Sequence, residues 1–198
     1  MGNWVYTYEK TGGGSGDMVM RTVGIVRNEI KDPILRSGMN GIEMQGEMDD
    51  VKKEIKQTYH AVSEIIMELP CVDLLDGIEA YSHLVVLYWA HKVPESSRQL
   101  THVHPMGRKE NPLMGIFSTC SPARPNPVLM TVVQLKKRDG NVLHVTGLDA
   151  VDGSPVIDIK PYAMAFYPRK NVRIPEWMRK IQTDVHTTGG NEPRSGKS

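Results

Sequence analysis

Cysteine is scarce in this 198-residue chain: Cys71 and Cys120 are its only two. One disulfide at most is no scaffold, so the fold must rest on a hydrophobic core, and a reducing, cytoplasmic setting is expected. Long apolar runs are missing as well. The best, Leu84 to Ala90, is strand-sized, far short of the roughly 20 residues of a membrane span, so no membrane partner is expected. Charge of one sign is absent: 24 Lys and Arg against 23 Asp and Glu leave +1. That balance gives no global attraction to nucleic acid and leaves room only for local basic faces. Met1 to Asp17 lacks the charged flank and apolar centre of a secretory signal. What remains is ordinary globular composition, 39% hydrophobic and 24% charged, in a chain long enough to bury about 70% of its unfolded surface.

Familiar catalytic signatures are lacking too. No Gly-x-Gly-x-x-Gly follows a first strand and no phosphate-binding Gly-x-x-x-x-Gly-Lys-Ser/Thr loop occurs, which disfavours a Rossmann cofactor site or a nucleotidase. A Gly-x-Ser-x-Gly nucleophile elbow is also missing. His102 and His104 resemble half a zinc site, but zinc takes four ligands, or three and water, and no second pair accompanies them. No metal is expected.

Strand signals dominate what is present. Residues 1–17, with the Gly-rich Thr11 to Gly16, read as a flexible segment. Met18 to Val26 and Ser63 to Leu69 have strand character, and His83 to His91 reads as a strand buried on both faces. Lys31 to Asp50 reads as an irregular excursion. Val51, Ile55 and Tyr59 recur at helical spacing, predicting a short helix over Asp49 to Val62. Lys92 to Pro112 reads as a long loop. Thr131 to Lys137 and Asn141 to Gly147 flank Arg138-Asp139-Gly140, a hairpin signal, and Val156 to Ile159 follows as the third strand of an expected meander. Ile174 to Ile181 predicts a helix opening at Pro175. The expected fold is mainly β: a single compact antiparallel β-barrel domain with short peripheral helices over residues 18–182, then a disordered tail over 183–198.

Two segments carry candidate chemistry. In Gly115 to Pro127, Pro122, Pro125 and Pro127 stiffen a loop that offers Ser118, Thr119, Ser121, Arg124 and Asn126. A rigid polar loop loses little entropy on meeting a ligand; a loop that only caps the barrel is the alternative. In Leu148 to Tyr162, Asp149 and Asp152 flank a turn where carboxylates can accept bonds from ribose hydroxyls. Asp158 and Lys160 share one face of the next strand and read as an ion pair. His91, at the end of an apolar strand, is a ligand-contact candidate.

These residues resemble one family. Asp76 to His91, with its Ser82-His83-Leu84 strand, is similar to a family element. So is Gly115 to Thr119 followed by Ser121-Pro122 and Arg124-Pro125-Asn126-Pro127. Asp149, Asp152-Gly153-Ser154-Pro155 and Asp158 to Tyr162 resemble its closing motif, and Val23 to Arg27 its opening strand. This is the TsaA/TrmO-like, or VirR-like, family of S-adenosylmethionine-dependent tRNA methyltransferases, matched from about Met18 to Tyr162. The resemblance implies a β-barrel homodimer that methylates N6 of threonylcarbamoyladenosine next to the anticodon. S-adenosylmethionine is the implied cofactor, with His91, Lys92, Met130, Asp149, Val151, Asp152 and Gly153 beside it. Ser121, Arg124, Asn126, Asp158, Lys160 and Tyr162 are implied in the pocket or on the substrate side; no catalytic base is assigned. Basic residues at Arg108-Lys109, Lys136-Lys137-Arg138, Arg169-Lys170 and Arg173 become candidates for the RNA side, solvated turns being the alternative. The chain departs from the pattern at Cys120, where the family has Arg, at Leu129, where it has Gly, and over Lys31 to Asn40, which lacks the family's Pro-Arg/Lys-Gln element. A different acceptor, or a non-catalytic S-adenosylmethionine- or RNA-binding module, are the alternative functions.

Overall fold

The computed structural model describes residues 3–10, 14–33, 35–38, 41–44 and 57–186, with positions 53 and 55. The strands are β1 (Asn3–Lys10), β2 (Gly14–Arg21), β3 (Gly24–Arg27), β4 (Leu35–Gly38), β5 (Gly41–Met44), β6 (Val62–Met67), β7 (His83–Trp89), β8 (His102–Val103), β9 (Met114–Gly115), β10 (Val128–Asp139), β11 (Val142–Thr146) and β12 (Pro155–Pro161). Six of them close into an antiparallel barrel in the order β10-β11-β6-β3-β12-β7. Alternation explains why. Ser63, Ile65 and Met67 of β6, Leu84, Val86 and Tyr88 of β7, and Leu143 and Val145 of β11 are buried at every second position. With Val26, Val133 and Val156 all of these but Ser63 form one core cluster, each aliphatic side chain contributing about 1.5–3 kcal/mol by burial. At Gly24 a Cβ would stand 2.7 Å from the Ile66 carbonyl oxygen, so only glycine lets β3 lie this close to β6.

The barrel expected from the sequence is present, and the β10–β11 hairpin turns at Gly140 in the left-handed conformation, with Asp139 opposite Val142. Other details differ. Inside the segment expected to be flexible, β1 and the start of β2 form a hairpin, as the β-formers Trp4, Val5, Tyr6, Thr7 and Tyr8 permit. The strand expected over Met18 to Val26 breaks at Thr22 and Val23, where Val23 N–H turns to the Val156 carbonyl at 2.8 Å. The excursion after Lys31 contains the β4–β5 hairpin. Positions 53, 55 and 57–60 are helical, within the helix expected over Asp49 to Val62, but Val62 already belongs to β6; positions 49–52, 54 and 56 lie outside the described residues. The expected meander does not form: β12 pairs with β7 and β3, not with β11, because two-sided pairing closes the barrel. The long loop after Lys92 carries β8, paired with β9. Helix α1 (Glu176–His186) takes in the first four residues, 183–186, of the expected tail; the rest of that tail lies outside the described residues.

Candidate functional site

One barrel end holds a cavity of about 590 Å³, within the range of small-molecule sites. The chain brings six elements there. The exit of β7 supplies Tyr88 and then Ala90, His91 and Lys92; the start of β10 supplies Leu129 and Thr131. The turn after β11 supplies Gly147, Asp149, Val151 and Ser154. The strap after β3 adds Ile30, Asp32 and Pro33, the segment before β6 adds Thr58 and Tyr59, and the proline loop adds Cys120 and Pro122.

Asp149 sits on the cavity wall as an acceptor for two neighbours. Its Oδ1 receives the Tyr88 hydroxyl at 2.7 Å and the Thr131 hydroxyl. Burial pushes the Tyr88 phenol far above its ordinary range and the Asp149 carboxylate reinforces this, so Tyr88 stays a proton donor. No hydrogen bond among the described residues reaches Asp149 Oδ2.

Asp152 is engaged differently. Its Oδ1 accepts the Asn28 backbone N–H at 2.9 Å and its Oδ2 accepts Lys31 Nζ at 2.9 Å. The Asn28 amide adds bonds to Ala150 O and Ser63 Oγ, and Asp152 N–H bonds to Ile30 O at 2.7 Å. The Asn28 backbone donor first, and Lys31 second, hold the Asp152 carboxyl below its usual range. Protein donors thus occupy both oxygens that the sequence offers to ribose. Asp152 fastens the strap 28–33 that walls the cavity, and Lys92 adds to it by bonding the Lys31 carbonyl and pairing with Asp32 at 3.5 Å.

His91 lines the cavity with Nδ1 3.3 Å from Ser154 Oγ. Burial, then the neighbouring Lys92, lower its pKa; Asp152 acts weakly against them. The imidazole is therefore neutral at pH 7. Gly153 stands beside it at φ 78°, and a Cβ there would lie 3.8 Å from His91 Nε2. That backbone conformation is one glycine adopts without strain.

The proline loop stiffens itself. Arg124 Nε donates to Ser121 O at 2.9 Å, and its Nη2 donates to Thr119 O at 2.6 Å. Thr119 Oγ1 donates to Ile116 O and accepts Ser121 N–H, and Ser121 Oγ accepts Ala123 N–H. Arg124 and Ser121 therefore shape the cavity wall from behind, leaving Cys120 and Pro122 to face the space.

The remaining candidates lie elsewhere. Met130 is on the opposite face of β10 from Leu129 and Thr131, 59% exposed, as the two-residue period of a strand requires. Asn126 is exposed outside the cavity lining. Asp158 pairs with Lys160 on the barrel wall. Tyr162 stacks on Tyr167 and meets His83 edge-on, at the other end of β7. His102 and His104 bond separately, to Thr101 Oγ1 and the Asn111 carbonyl, and no group of three potential metal ligands converges among the described residues. Arg138 is tied to the Leu75 and Val72 carbonyls, so Lys136-Lys137-Arg138 sits at the barrel end away from the cavity.

Sequence reasoning passed over Tyr88, Tyr59, Thr131 and Ile30. A phenol that follows the aliphatic run Leu84 to Leu87, three residues before His91, is the signal that marks Tyr88.

Comparison with known proteins completes the picture. Residues 47–166 match the family model of the tRNA-methyltransferase O N-terminal domain. An S-adenosyl-L-methionine-binding protein of Archaeoglobus fulgidus is 38% identical over 146 residues, covering 74% of this chain and 90% of that protein. The tRNA (adenine(37)-N6)-methyltransferase of Escherichia coli is 44% identical over 94 residues, 46% of this chain and 40% of that enzyme. The crystal structure of TrmO from P. aeruginosa shares the fold at a TM-score of 0.55 and 23% identity, over 80% of this chain and 60% of that one.

Proposed function

We propose, on the premise that this chain belongs to the family of the tRNA-methyltransferase O N-terminal domain, that it transfers a methyl group from S-adenosylmethionine to N6 of the adenine beside the anticodon of tRNA, where that nitrogen carries a threonylcarbamoyl group. The single observation that supports this most is the cavity in which Asp149, Tyr88 and His91 converge.

The lining fits the cofactor. Ile30, Pro33, Leu129 and Val151 offer apolar surface to a purine ring, Tyr59 offers an aromatic face, and Asp149 Oδ2 offers a carboxylate oxygen to a hydroxyl or a cation. When bound, S-adenosylmethionine supplies an electrophilic methyl on a positively charged sulfur. The chain's part is to orient and to keep water out, and positioning of this kind is worth about 7–11 kcal/mol when the geometry is good. Asp149, itself held by Tyr88 and Thr131, orients polar groups. The strap 28–33 and the proline loop exclude water. His91, neutral and with Nδ1 turned to Ser154, takes the proton leaving the acceptor nitrogen at Nε2.

A second reading keeps the cofactor and changes the acceptor, because Cys120 lines the cavity at a position where the family carries Arg. We further propose a homodimer in the cytoplasm. Met130 and Val132 form an exposed apolar strip on the outer face of β10, opposite Leu87 and Val85, and no described helix is long and apolar enough to cross a membrane.

Two measurements test the reading. Calorimetry is expected to detect S-adenosylmethionine binding at micromolar concentration. Mass spectrometry of tRNA nucleosides from a strain lacking the protein is expected to show loss of methylated threonylcarbamoyladenosine. Binding without that loss selects the second reading; no binding overturns both.

A further inference from the structure

Between Pro161 and Glu176 the chain holds Arg169, Lys170 and Arg173 and no acidic residue. A local charge of +3 in a chain that is otherwise balanced is a departure that needs a reason. The same segment concentrates exposed rings: Phe166 is 77% exposed, and Tyr167 stacks on Tyr162 with centroids 5.0 Å apart and planes 21° from parallel. Burying rings is what a folded domain does by default, so an exposed ring amid cations marks a surface with work outside the fold. Met164, Tyr167, Arg169 and Lys170 line an open groove of about 540 Å³. Asn171, left-handed at φ 60°, turns the backbone between the two basic clusters, a conformation asparagine tolerates better than most residues. Arg169, Lys170 and Arg173 make no ion pair or side-chain hydrogen bond among the described residues. The nearest acid of β12, Asp158, is already paired with Lys160.

The ledge stands at the opposite end of β7 from the cavity. Tyr162 touches His83, while Tyr88 lines the cavity five residues along the strand, a distance of roughly 17 Å at strand rise. We propose that this ledge, residues 162–173, is a second contact surface for RNA. It holds the phosphodiester backbone on Arg169, Lys170 and Arg173 and stacks an unpaired base on Phe166, while the methyl-accepting base of the same molecule occupies the cavity. The inference rests on the tRNA reading above. Charge complementarity and the exposed rings select RNA over a protein partner: cations along a groove with stackable aromatics are the recurring means of gripping single-stranded nucleic acid. The family match ends within the ledge, at residue 166.

The test uses the full chain and a fluorescein-labelled anticodon stem–loop RNA, read by anisotropy across a salt series. Arg169→Glu, Lys170→Glu and Arg173→Glu together are expected to weaken RNA binding about 10- to 100-fold at about 0.1 M salt. The slope of log affinity against log salt is expected to flatten by about 2–3. Phe166→Ala alone is expected to lose about 5- to 150-fold, the range for one stacked base. Both variants should bind S-adenosylmethionine as the wild type does, and both should raise KM for RNA with kcat retained at saturation. The conservative set Arg169→Lys and Arg173→Lys should restore affinity, which separates lost charge from a disturbed fold. Unchanged affinity and salt slope in the triple variant overturn the inference, as does a change in sedimentation with RNA binding intact, which makes the ledge a surface between copies of the chain. A wild-type protein that fails to bind S-adenosylmethionine sinks the earlier reading instead, whatever the ledge does.

Discussion

The two long walls of the cavity are built on opposite plans. The proline loop is anchored at its two ends to Thr101 and Ala90, but between them its side-chain bonds span at most eight residues, from Arg124 back to Ile116. The strap 28–33 is held by bonds that span more than a hundred, from Asn28 to Ala150 and from Asn28 and Lys31 to Asp152. The first wall carries its shape in its own sequence. The second has a shape only once the barrel has brought residues 28 and 152 together. A local wall tolerates change elsewhere in the molecule; a wall held across the barrel reports on whether the barrel is closed.

The largest effect should come from cutting the long-range wall. Asp152→Ala removes the acceptor of the Asn28 N–H and the partner of Lys31, at a cost of about 1–3 kcal/mol for the buried donor left unsatisfied. Affinity for S-adenosylmethionine is expected to fall about 5- to 150-fold by calorimetry, although Asp152 does not itself line the cavity. The same residue has a pH signature. Its folded-state pKa is depressed, so its contribution to stability is complete above its ordinary value near 3.9. That contribution is lost as pH falls from there through the depressed value. Asp152→Asn should flatten this acid limb in a series of thermal melts, and an unchanged limb would show that the clamp contributes nothing.

Cutting the local wall should cost less. Arg124→Ala leaves the Ser121 and Thr119 carbonyls without their guanidinium, worth about 1–2 kcal/mol. Because the prolines still restrict the backbone, cofactor affinity should fall less than tenfold, measured in the same titration. If Arg124→Ala proves worse than Asp152→Ala, the two walls have been ranked the wrong way round. The smallest effect belongs to Lys31→Ala. Lys31 is 61% exposed, and exposed pairs contribute about 0.2–1 kcal/mol, so a change in melting temperature of more than a few degrees would contradict the reading of this pair as a minor strut.

The same contrast governs what could be read from the chain before its structure. Local features were legible: the β10–β11 hairpin from Asp139-Gly140, the doubly buried β7 from its aliphatic run, the stiffness of the proline loop from Pro122, Pro125 and Pro127. Pairings over long separations were not. Nothing near Val156 announces that β12 lies beside β7 and β3 and not beside β11. For the site, motifs identified which residues have suitable chemistry but not where their oxygens point. Asp149 and Asp152 look alike in sequence, yet one keeps an oxygen toward the cavity and the other spends both on the strap. Met130 was offered as a contact, and strand alternation turned it outward. Tyr88 was hidden because a run of apolar residues reads as core, and it is core in body with only its hydroxyl at the cavity.

The barrel seam has a consequence for how the chain is made. β3 pairs with β6 at four positions but with β12 at two, Pro155 opposite Ile25 and Val156 opposite Gly24. Those partners are about 130 residues apart, and at roughly 5–20 residues per second of synthesis β3 waits roughly 7–26 seconds for its second neighbour. Throughout that interval its outer edge offers unpaired backbone groups to any other nascent chain. The strap cannot be fastened either, because Asp152 emerges just ahead of β12. Ribosome-bound chains stopped before Pro155 should therefore carry an open barrel and no formed cavity, and the pocket should appear over the last few residues of β12 as they leave the exit tunnel.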